Sequence, residues 1–153
     1  MKTIEQSIEV DVPVRTAYNQ WTQFEEFPAF MDGVESVTQR DDTHLHWVAE
    51  IAGVRREWDA EITEQLSDER IAWTSRDGTG NSGVVTFHRL DDDKSRVMLQ
   101  LTVAAEGIVE KTGEMLGIIE GKVVGDLERF KEMIESRGAE TGGWRGEVQQ
   151  SAS

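Results

Sequence analysis

The sequence contains no cysteine, which excludes disulfides and thiolate-ligated metal sites. Its three histidines, His44, His46 and His88, supply a His-based zinc site poorly, and no metal or cofactor is expected. Basic residues are scarce too: 16 Lys and Arg stand against 30 Asp and Glu, a formal charge of −14. So acidic a surface repels phosphate backbones and anionic headgroups, which argues against nucleic-acid and peripheral membrane binding. Acidity of this kind serves solubility. No run approaches the ~18 consecutive apolar residues that a membrane span needs. The start, Met1-Lys2-Thr3-Ile4-Glu5-Gln6, lacks the apolar segment of a secretory signal. A cytoplasmic location is therefore the expectation, in a chain whose 153 residues suffice for one domain with a sizeable core.

What is present is a strict change of period along the chain. Ile4, Gln6, Ile8 and Val10 alternate with polar residues, as in a half-buried strand. Asp11-Val12-Pro13 then signals a helix start, and Val14, Ala17, Tyr18, Trp21 and Phe24 recur at helical steps. A second short helix is expected over 25–30, interrupted by Pro28. From 34 to 104, six alternating runs are separated by Asp- and Gly-rich turns, placing strands near 34–40, 44–51, 54–66, 70–76, 82–90 and 95–104. Connections this short require antiparallel pairing, because parallel neighbours need crossovers of about a dozen residues or more. From 112 to 137 the period is helical again. Met115, Ile119, Val123, Phe130, Met133 and Ile134 share one side, and Gly138 is a natural stop. The resulting class is α+β: a curved antiparallel sheet of six or seven strands wrapped around a long C-terminal helix, with two short helices after the first strand. The domain spans 1–138, and 139–153 reads as a polar tail, frayed except around Trp144-Arg145-Gly146.

Several local words carry a family resemblance. They include Val34-Glu35-Ser36-Val37, His46-Trp47-Val48-Ala49, Arg56-Glu57-Trp58-Asp59-Ala60-Glu61-Ile62, Ile71-Ala72-Trp73-Thr74-Ser75 and Gly83-Val84-Val85-Thr86-Phe87. Towards the end come Gly125-Asp126-Leu127-Glu128-Arg129-Phe130-Lys131 and Thr141-Gly142-Gly143-Trp144-Arg145-Gly146-Glu147. Together with the element order, they make the chain similar to the START-like (SRPBCC) helix-grip superfamily, in its polyketide cyclase/dehydrase branch. The resemblance implies a cavity for lipids, quinones or polyketides, with catalysis in a minority of members. Ser67 departs from the pattern, standing where relatives tend to have a turn proline.

The candidate ligand-binding residues are Trp47, Arg56, Trp58, Trp73, Phe87, Met115, Ile119 and Asp126. The rings sit on the apolar faces of their strands, where they could stack a planar ligand or simply fill core. Arg56, between Val54 and Trp58 on that face, and Asp126, within the helix stripe, place charge inward; each must be paired or hydrated. They anchor a ligand or close a structural network. Asp126, Arg56, Ser75 and Tyr18 are the groups available for proton transfer, and no catalytic triad, metal motif or phosphate loop supports them. Gly113, Gly117, Gly121 and Gly125 recur every fourth residue, a groove for a second subunit (a homodimer) or for the Trp144 tail, or a tolerated exposed run. Three readings stay open, in this order: a binding protein for an apolar small molecule, a polyketide aromatase/cyclase-dehydratase, and a protein-interaction or regulatory module.

Overall fold

The computed structural model describes residues 2–31, 33–51, 53–75, 81–103, 112–146 and 148. The elements are β1 (Lys2–Val10), α1 (Val14–Trp21), a 3₁₀ helix (Phe24–Ala29), β2 (Val34–Gln39), β3 (His44–Ile51) and β4 (Val54–Leu66). They continue with β5 (Arg70–Ser75), β6 (Asn81–Asp91), β7 (Lys94–Val103) and α2 (Thr112–Arg137). All seven strands form one antiparallel sheet in the order β1-β7-β6-β5-β4-β3-β2. The hairpin meander thus starts at one edge with β2, and β1 closes the other edge against β7. This is the curved sheet and long helix that the alternating and helical periods predict.

Register decides which side chains face α2. Ile62, Trp73, Gly83, Leu101 and Ile4 form one cross-strand row on the concave face, and Ile71, Val85, Leu99 and Gln6 form the next. Nearer the other end of the sheet, Trp47 pairs with Trp58 and Leu45 with Ala60. A bulge between Ile62 and Glu64 shifts the alternation of β4, so that Gln65 also turns inward. Gln65 is only 1 % exposed, and its Nε2 donates to Tyr18 Oη at 3.1 Å. A buried amide without such a partner would cost about 1–3 kcal/mol.

The cover is α2, whose Val123, Leu127, Phe130 and Ile134 are buried at helical spacing. Phe130 meets Trp21 of α1 at 5.0 Å between ring centroids and Phe30 at 5.2 Å. Lys131 Nζ donates to Glu9 O at 3.0 Å, and Glu135 accepts the Asp11 N–H at 2.7 Å, fastening the same half of α2 to the end of β1. Gly138 ends the helix at φ +74°, with its N–H on Ile134 O at 2.8 Å.

The segment after Gly138 corrects one expectation. Its described residues, 139–146 and 148, run back over α1 and the end of β4 rather than fraying. Gln20, fully buried, accepts from the Thr141 N–H at 2.9 Å, and the Trp144 N–H donates to Thr22 Oγ1 at 3.0 Å. Arg145 donates to Asn19 Oδ1 and Asp68 Oδ2, both at 2.8 Å, with its guanidinium 5.7 Å from the Tyr18 ring centroid. Gln65 and Val148 exchange two backbone hydrogen bonds, covering the part of β4 that extends beyond β3. Ser67, the departure from the family pattern, donates to Arg145 O at 3.2 Å. The described part of the tail does not reach Gly121 or Gly125; Gly113 and Gly117 lie outside the residues whose side-chain surroundings are described. Gly121 is exposed with nothing near its missing side chain, and Gly125 lies under the Arg129 guanidinium.

Two outcomes follow from this packing. Gln20→Leu leaves the Thr141 N–H without its acceptor and should lower unfolding free energy by about 1–3 kcal/mol, measured by urea denaturation. Faster cleavage within 139–146 in limited proteolysis should accompany it. On the outer face, His46 bridges Asp59 Oδ1 at 2.8 Å and Glu57 Oε1 at 3.1 Å, and these carboxylates raise its pKa above the usual imidazole value. A raised folded-state pKa stabilises below the unfolded pKa and is lost as pH rises through the folded one. The melting-temperature advantage of wild type over His46→Gln should therefore be full in mildly acidic buffer and shrink as pH rises past the ordinary imidazole range.

Candidate functional site

Between the concave face and α2 lies a cavity of about 150 Å³. Its sheet wall is built by Trp47, Ala49 and Trp58 on β3–β4 and by Trp73 and Leu101 further across. Trp47 and Trp58 are direct cross-strand partners, and their rings stack with centroids 5.7 Å apart and planes 7° from parallel. Phe27 of the 3₁₀ helix backs Trp47 at 5.6 Å. Trp73 lies flat across its own cross-strand partner, Gly83, because a Cβ there would sit 2.5 Å from Trp73 Cζ2. Glycine at 83 is what lets that indole lie along the sheet. Trp47 Nε1 itself is sealed from solvent and has no hydrogen-bond partner among the described residues.

Polar side chains are few. Lys122 and Asp126 are the charged residues of the wall among those described. Lys122 Nζ donates to Asp126 Oδ2 at 2.8 Å, and Arg129 Nη2 donates to Asp126 Oδ1 at 2.5 Å. Arg129 Nε also donates to Phe30 O at 3.0 Å, so the group ties α2 to the end of the 3₁₀ helix. Asp126 is 8 % exposed, a buried carboxylate held by two cations one and nearly one helical turn away.

Of the residues picked from sequence, Trp47, Trp58, Trp73 and Asp126 come together on this cavity. Phe87 does not: it is core, edge-on to Tyr18 at 5.3 Å and beneath Trp21. Arg56 shares the face of Trp58 by register, opposite Ala49, yet its side chain is exposed and outside the cavity wall. Near the β3–β4 turn a long side chain can carry its charge to water rather than bury it. Met115 and Ile119 lie on the first turns of α2, outside the residues whose side chains are described. Tyr18 is fully buried away from the wall, and burial pushes its phenol pKa up. Lys122 was not singled out, although its i, i+4 spacing from Asp126 was a usable signal. Among the described residues no histidine reaches the cavity, and its wall offers one polar pair, Lys122 and Asp126.

A curved sheet gripping a helix over an apolar cavity defines a START-like protein. The chain belongs to the family described as polyketide cyclase/dehydrase and lipid transport, whose sequence profile matches residues 10–132. It is 60% identical over 149 residues to an uncharacterized 17.2 kDa protein of Streptomyces lincolnensis encoded in a melC2-rnhH intergenic region, covering 97% of this chain and 99% of that one. A crystal structure from Deinococcus radiodurans is 26% identical with a TM-score of 0.69, over 89% of this chain and 99% of that one. The Zhui aromatase/cyclase of a Streptomyces species superposes with a TM-score of 0.74 at 18% identity, over 94% and 99% of the two chains. That last likeness is one of fold.

The Trp73–Gly83 contact yields a direct test. Gly83→Ala forces the indole off the sheet towards the cavity and should cost about 1–3 kcal/mol in unfolding free energy. A shifted tryptophan emission maximum and a smaller cavity in a crystal structure should accompany that loss.

Proposed function

We propose that the protein binds a small, planar, largely apolar molecule in the cavity between the sheet and α2, and holds it without turnover. The observation that carries this reading is an apolar void bounded on its sheet side by three tryptophans, Trp47, Trp58 and Trp73. An apolar cavity of about 150 Å³ accepts a benzene-sized ring. One ring stacked along the Trp47–Trp58 wall fills the space.

A second reading, an aromatase/cyclase, draws on the family and on the Lys122–Asp126 pair at the wall, which could move a proton on a bound chain. Volume favours the first. An extended poly-β-keto chain is far larger than a single ring and would need the walls to part.

Native mass spectrometry on gently purified protein, followed by solvent extraction, tests the binding reading. Tryptophan fluorescence and thermal shift with toluene, phenol, acetophenone and 1,4-naphthoquinone extend it. Expected are one molecule per chain and a raised melting temperature. Ala49→Leu, which fills the void from its β3 wall, should abolish uptake while the fold persists. A wild-type protein that takes up none of these compounds sinks the proposal, and product formation from a poly-β-keto substrate would promote the second reading.

A further inference from the structure

We propose that Lys122 is an anion anchor, so that the ligand is an aromatic or short aliphatic acid, or an enolate, rather than a neutral hydrocarbon. The inference rests on the cavity-binding reading and adds to it the chemical class of the ligand.

Charge around the cavity carries the argument. Among the described residues, the polar group at the wall comprises two cations, Lys122 and Arg129, and one anion, Asp126. Both cations stand in a chain whose formal total is −14. Arg129 alone matches the Asp126 charge, through Oδ1, and spends its Nε on a backbone carbonyl of the 3₁₀ helix. Lys122 meets the same carboxylate through Oδ2, and no second acceptor among the described residues takes its remaining N–H groups. An ammonium has three donors. One is used, and the side chain is only 22% exposed, at the edge of an apolar wall.

Lys122 is also held in place. Its Cε passes 3.5 Å from where a Cβ on Gly33 would stand, and Asp126 fixes its tip from one helical turn away. A positioned, half-buried ammonium over a dry wall favours a ligand that brings its own negative charge. Water cannot solvate both ions as fully there as in bulk, and screening by salt is weaker than at an exposed pair. A neutral hydrocarbon would leave the ammonium's free donors facing an apolar surface. A carboxylate or enolate oxygen satisfies them, while the ring keeps the Trp47–Trp58 wall.

The test compares isosteres. Benzoate and nitrobenzene share shape and differ in charge, and each is titrated into wild type, Lys122→Met and Lys122→Arg by calorimetry or ligand-observed NMR. Wild type should bind benzoate about tenfold or more tightly than nitrobenzene. Lys122→Met should erase that preference while nitrobenzene affinity holds, and Lys122→Arg should restore it. Lys122→Gln repeats the measurement should the methionine disturb packing. Equal affinity of wild type for the two compounds overturns the anchor and leaves cavity binding standing. So does a benzoate preference that survives removal of the ammonium. Failure of wild type to bind either compound brings down the cavity reading and the anchor with it.

Discussion

A sheet with one apolar face is stable only when something covers it, and in this protein the cover is set by where Phe130 can sit. Its ring is wedged against Trp21 and Phe30, which belong to the short helices between β1 and β2. Those helices therefore act as a spacer between sheet and α2. At the Phe130 end the helix is clamped to β1 by Lys131 and Glu135. Towards Lys122 the same helix stands over Trp47, Trp58 and Trp73, whose rings line the cavity there. The cavity is thus a geometric result of an aromatic wedge at one end of a stiff rod.

The same constraint divides the aromatic residues into two populations. Tyr18, Phe30, Phe87 and Phe130 pack edge-to-face beneath the short helices and fill space, while Trp21 packs among them and also reaches the cavity wall. Trp47 and Trp58 stack on the sheet itself, and with Trp73 they bound space instead. Offset and edge-on contacts give each ring its preferred quadrupole geometry in the first group. In the second, the Trp47 and Trp58 rings stack nearly parallel, with planes 7° apart.

Much of this was legible in the sequence, for identifiable reasons. Alternation placed every strand within a residue or two, because polar and apolar positions on β1 to β7 separate cleanly by face. The helical period placed α2 over 112–137, and the apolar stripe gave its buried side. The inward set on β4 followed from alternation up to Ile62, but the bulge that turns Gln65 inward has no local signature. Arg56 illustrates a different limit: register assigns a face, not the length of face that a helix covers. Phe87 was assigned to the wall because strand parity says nothing about whether α1 lies over that row. The docked tail was hidden most completely, since it is held by Asn19, Gln20, Thr22 and Asp68, polar residues whose burial no hydropathy pattern reveals.

The pairing of β1 with β7 has a consequence for how this chain reaches its folded state. Partners such as Ile4 and Leu101 lie almost a hundred residues apart, and the contacts of Asn19 with Arg145 are 126 residues apart. Neither the β1 edge of the sheet nor α1 gains its final neighbours until most of the chain is available. Until then the concave tryptophans have no helix over them, and the cost of closing such long loops is borne before the contacts return it. Nascent chains of this protein should therefore pass through a stage with exposed indoles and unpaired strand edges, the period in which chaperone capture competes with self-association.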